Sequence, residues 1–72
     1  MSEDVFNGFG VIIIRRSGKL YIQYDAGELS IRYQEAEISD EEAAKAQRSE
    51  RDAYEVLIAC QSDGRQIVDL PR

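Results

Sequence analysis

Hydrophobic and polar residues alternate most regularly between Leu20 and Tyr33, LYIQYDAGELSIRY. Two period-two runs, Leu20/Ile22/Tyr24 and Leu29/Ile31/Tyr33, flank Asp25-Ala26-Gly27-Glu28, the pattern of a β-hairpin around a glycine-containing turn. With Asp25 opposite Glu28, Tyr24 faces Leu29, Ile22 faces Ile31 and Leu20 faces Tyr33, and the large apolar side chains share one face. A slip of one residue would send half of them into water, so the pattern itself predicts the register.

Upstream, Val11–Arg16, VIIIRR, is β-branched and predicts a further strand, joined to the hairpin by a turn at Ser17-Gly18. Loops of two or three residues both fit that turn, and they put opposite pairs of Val11, Ile12, Ile13 and Ile14 on the core face. Either way, two large apolar residues fall on the second face with Tyr21, Gln23, Ser30 and Arg32. A curled sheet, a crossing terminal segment, a partner or a second copy would each account for such a surface. Residues 1–10 have no periodicity, and Asn7-Gly8 and Gly10 loosen regular structure, so they are expected to form a mobile lead-in.

Downstream, Ala36 and Ile38 fall out of phase with Leu29, Ile31 and Tyr33, so the strand is expected to end or bulge between Gln34 and Ile38. Ser39-Asp40-Glu41-Glu42 opens a helix: Ser39 caps, Glu42 reaches back to close a capping box, and Ile38 staples against Ala43. Asp40 and Glu41 complement the positive end of the helix dipole. The helix is expected to run to Asp52, and because Ala43, Ala44, Ala46 and Ala53 supply its apolar positions it must lie close to the sheet. Tyr54–Gln61, YEVLIACQ, is rich in strand formers, and Ser62-Asp63-Gly64 precedes Gln66–Leu70. A second hairpin is therefore predicted, with Ile58 facing Val68; a helix continuing through Cys60 is the alternative. The predicted fold is α+β, a five-stranded antiparallel sheet in the order strand-strand-strand-helix-strand-strand with one helix packed on one face.

Composition narrows the function. Seventy-two residues make one small domain, at a size where a single core is barely sufficient. Cys60 is the one cysteine and there is no histidine, so neither an internal disulfide nor an ordinary zinc site is expected. The same inventory leaves a Cys60 nucleophile without its usual base and argues against an enzyme; Cys60 reads as a buried small hydrophobe. Nothing calls for a cofactor. Fourteen acids against nine bases give a formal charge of −5, which disfavours direct nucleic-acid binding and favours a basic protein partner. MSEDVFNGFG is too polar for a signal peptide and no apolar run approaches a membrane span, so no membrane contact and a cytoplasmic location are expected.

The most biased segment is Glu35, Glu37, Asp40, Glu41 and Glu42. Its spacing lacks the glycine and alternating oxygen ligands of a calcium loop, which leaves a solvated helix start or a docking edge for a basic groove. Arg15, Arg16 and Lys19 cluster at the tip of the first hairpin, beside Tyr21. The candidate partner-binding residues are thus Glu35, Glu37, Asp40 and Glu41 on the acidic edge, with Tyr21 and Arg32 on the second face. No spacing is diagnostic of a family. In profile, a short acidic chain without catalytic residues, the protein resembles phage-encoded inhibitors such as anti-CRISPR proteins and immunity proteins that block toxin nucleases. That resemblance implies a viral or mobile-element inhibitor that occludes a basic or nucleic-acid-binding surface of a larger protein. A self-associating homodimer built on Tyr21 and the outward isoleucines is the alternative.

Overall fold

The computed structural model describes residues 2–27 and 32–70. Along them run β1 (Ser2–Gly8), β2 (Val11–Arg16), β3 (Lys19–Asp25), β4 (Tyr33–Ile38), α1 (Asp40–Ala46), α2 (Glu50–Ser62) and β5 (Ile67–Asp69). The strands form one antiparallel sheet in the order β1-β2-β3-β4-β5. The fold is α+β with a five-stranded antiparallel sheet, as expected, but it has two helices rather than one, and two of its strands are not those predicted.

The turn at Ser17-Gly18 contains two residues, both with positive φ (54° and 77°), as a type I′ hairpin requires. It pairs Arg16 with Lys19, Ile13 with Ile22 and Val11 with Tyr24, so Val11 and Ile13 face the core while Ile12 and Ile14 face away. Phe9-Gly10 makes the same kind of turn, φ 53° and 77°, between Gly8 and Val11. Residues 2–8 are therefore a paired edge strand, which corrects the lead-in expectation. Without β1, one edge of the apolar β2 would expose its N–H and C=O groups. The register shifts between Asp4 and Phe6, a bulge at Val5 that protects the new edge from further pairing.

The strands joined at Asp25 do not form the predicted tight hairpin. Leu20 pairs with Ile38, Ile22 with Ala36 and Tyr24 with Gln34, so the phase of Ala36 and Ile38 prevails over that of Tyr33, which is exposed. Leu29, Ser30 and Ile31 lie outside the described residues. The connection is long instead of a tight turn, and Asp25 closes its base: Oδ1 accepts from the N–H groups of Gly27 and Arg32, each at 2.9 Å. Ala36 and Ile22 pair and are both buried, and β4 leads directly into the Ser39 cap.

The capping box forms as read: Ser39 Oγ accepts from the Glu42 N–H at 3.1 Å, and Glu42 Oε1 accepts from the Ser39 N–H at 2.9 Å. The helix then stops at Ala46 and restarts. Ser49, extended at φ −165° and ψ 164°, caps α2 by accepting from the Asp52 N–H. One straight helix from Asp40 to Ser62 would be about 35 Å long, longer than the 30 Å greatest extent of the fold. The break lets both segments lie on the sheet. Tyr54–Gln61 is thus helix, not strand, which corrects the predicted second hairpin; Ala53, Val56 and Cys60 recur at helical spacing and are all buried. Gly64 takes the left-handed conformation, φ 77°, just past the helix end. The core joins Val11, Ile13, Leu20, Ile22, Tyr24, Ala36 and Ile38 of the sheet to Ala43, Ala46, Ala53, Val56 and Cys60 of the helices. No helix among the described residues is long and apolar enough to cross a membrane.

Candidate functional site

Residues directly opposite one another in an antiparallel sheet share a face. The face turned from the helices therefore carries Ile12, Ile14 and Arg16 of β2, Tyr21 and Gln23 of β3, Glu35 and Glu37 of β4, and Val68 of β5. The two-residue turn puts Arg16 at the end of its strand, from which it reaches diagonally across β3. Its guanidinium lies 4.5 Å from the Tyr21 ring centroid and forms a salt bridge with Glu35. Gln23 donates to the other Glu35 oxygen at 3.0 Å. Glu35 is 6% exposed, and a carboxylate so far from water is tolerated because both of its oxygens are bonded. Ile14, register partner of Tyr21, is also buried, and Ile12 is half-buried.

Tyr21, Glu35, Glu37, Arg65, Gln66 and Val68 line a cavity of about 260 Å³ on this face. Three of the sequence-predicted contact residues, Tyr21, Glu35 and Glu37, thus come together. Asp40 and Glu41 follow along the chain in the first turn of α1, both exposed. Arg65 fixes that junction by donating to the Glu37 carbonyl at 2.9 Å and to Glu42 Oε1 and Oε2 at 3.0 and 2.9 Å. Burial pushes the Glu42 carboxyl up, but the hydrogen bonds from Arg65 and Ser39 outweigh it and hold it below its ordinary range. The Arg65 hydrogen bond likewise depresses Asp63.

Arg32 does not join the site. It pairs with Asp69 at 2.9 Å, and Asp69 also accepts from Gln34 at 2.7 Å. Gln34 and Asp69 have the phase of the helix-covered face, so the expectation that Arg32 sits beside Tyr21 is corrected. The reason is the late start of β4 at Tyr33, which leaves Arg32 in the connection clamped by Asp25. Cys60 is buried as expected, though on a helix; burial pushes its thiol pKa up, and Arg65 Nη1 lies 3.2 Å from its sulfur.

Charge is distributed unevenly. Arg16, Arg32, Lys45, Arg48, Arg51 and Arg65 are all engaged in ion pairs. Glu37, Asp40 and Glu41 take part in none of the ion pairs among the described residues, a state they share with Glu3, Asp4 and Glu50 and with the cations Arg15 and Lys19. Sequence reasoning missed Arg16 and Gln23 as holders of Glu35, and Arg65 as the tie between β4 and α1. The signal for Arg65 was its position just after the Asp63-Gly64 helix end. Comparison with known proteins finds no matching family model, no matching curated protein and no matching solved structure.

Proposed function

We propose that the protein is a non-catalytic binding module that grips a basic surface of a larger protein and occludes it, acting as an inhibitor. Glu37, Asp40 and Glu41 supply the charge and Tyr21 the apolar contact, while Glu35 is a structural member of the platform. The observation that carries this reading is exposed Glu37 in the lining of the Tyr21 cavity, followed along the chain by exposed Asp40 and Glu41, none of the three in an ion pair among the described residues, whose bases are mostly paired. Such an edge attracts a basic partner at long range and discriminates against acidic ones. Nucleic acid is the least suitable ligand, because phosphates would meet the same carboxylates.

The test is capture from cell extract with the immobilised protein and with a Glu37→Gln/Asp40→Asn/Glu41→Gln variant, which keeps size and polarity. The expected result is a basic protein retained by the natural chain, released as salt rises, and retained about tenfold less by the variant. Equal retention by both would remove the acidic corner from the account.

A further inference from the structure

The outer face of α2 is more apolar than a solvated helix needs. Tyr54 is 63% exposed and Ile58 43%, and Arg51 and Gln61 lie exposed on the same side. Positions 51, 54, 58 and 61 are spaced three, four and three residues apart, the seam spacing of a coiled coil. Beside this stripe, Tyr54 and Leu57 line a cavity of about 700 Å³ with Phe9. Phe9 is itself exposed at the first position of the β1–β2 turn, where φ 53° is what the turn requires.

We infer that this stripe is the seam of a homodimer, in which α2 packs antiparallel against α2 of a second copy. The stripe is self-complementary. About a two-fold axis at the level of Val56, Tyr54 of each chain meets Ile58 of the other, Arg51 meets Gln61, and Glu50 meets Ser62, so no like charges are opposed. The charge pattern agrees. Arg51 stands in the first turn of α2 between Glu50 and Asp52, 3.5 Å from Glu55, with most of its side chain exposed, and the last turn of α2 has no basic residue. An antiparallel copy places each Arg51 against the negative end of its neighbour. A chain of this size with a core largely of alanine on the helix side gains from the added burial.

A single-helix seam is smaller than a standard interface, so a dissociation constant on the order of 10 to 100 µM is expected. Sedimentation equilibrium of the full chain tests it over about 5 to 500 µM, a range chosen to bracket that constant. The expected result is a weight-average mass that climbs from 8.2 kDa toward twice that value. Ile58→Glu should move the curve at least about tenfold to higher concentration. Arg51→Glu should weaken association, and adding Gln61→Arg to it should restore it. All of these positions are exposed, and circular dichroism confirms that each variant is folded. A monomer throughout the range overturns the inference, as does a dimer indifferent to Ile58→Glu or one lost on Tyr21→Ala. Partner capture at the acidic corner should be unaffected by Ile58→Glu, so the two readings fail separately.

Discussion

Arg65 donates to acceptors on three elements: Glu42 of α1, the Glu37 carbonyl of β4, and Cys60 of α2, with Asp63 of the α2 cap as a further partner. Replacing it by methionine should cost about 2 kcal/mol at neutral pH, since Glu42 is only a quarter exposed and would lose its charged partner. The pH dependence follows from the direction of the shifts. Glu42 and Asp63 both have folded pKa values below their ordinary ones. Their contribution is complete above the ordinary carboxylate range and is lost as the pH falls through that range and the lower folded values. Urea unfolding across acid pH should therefore show a shallower loss of stability in Arg65→Met than in the natural chain; parallel curves would assign the acid limb to other carboxylates. At this scale the sequence was readable where chemistry is local. The Ser39–Glu42 capping box needs only a three-residue spacing, and a cysteine among apolar neighbours is already a buried one. The Arg16–Glu35 pair was not readable, because it depends on a register that brings residues of β2 and β4 together over Tyr21.

Among the elements, α2 was the hardest to read, for a physical reason. Tyr54–Gln61 has the β-branched and aromatic content of a strand, and propensity alone favours one. The spacing of Ala53, Val56 and Cys60 and the cap at Ser49 decide for helix, because they bury an apolar stripe against the sheet. Ser49→Ala should accordingly destabilise the protein by about 1 kcal/mol, measured by thermal or urea unfolding. An unchanged midpoint would mean that the break between α1 and α2 is held by tertiary packing alone. The hairpin at Asp25 misled in the opposite way. Its alternation is genuine, but it continues past Tyr33 in the other phase, and a strand leading directly into the Ser39 cap uses Ala36 and Ile38. The edge strand β1 is polar and bulged, which is how edges resist pairing and also why its sequence lacks a strand signature.

As a whole, the molecule is a sheet with one side filled by helices and the other left open, and its charge is distributed to match. The helix side carries paired ions and an apolar outer stripe. The open side carries a fixed platform of Arg16, Tyr21, Gln23 and Glu35 with Glu37 at its rim, and Asp40 and Glu41 follow in the exposed first turn of α1. The sequence disclosed the acidic run and nominated Tyr21. It did not disclose that Glu35 is buried and Arg32 engaged at the far end of β4, since both follow from where β4 begins. The central claim is that the Tyr21–Glu37 corner receives basic groups. Titration of the 15N-labelled protein with an amidated oligoarginine peptide tests it most directly. The account predicts saturable shifts at the amides of Tyr21, Glu37, Asp40 and Glu41 that are lost at raised salt and in Glu37→Lys. Shifts that fail to saturate, or that gather on Tyr54–Gln61 while Tyr21 and Glu37 stay in place, would contradict it.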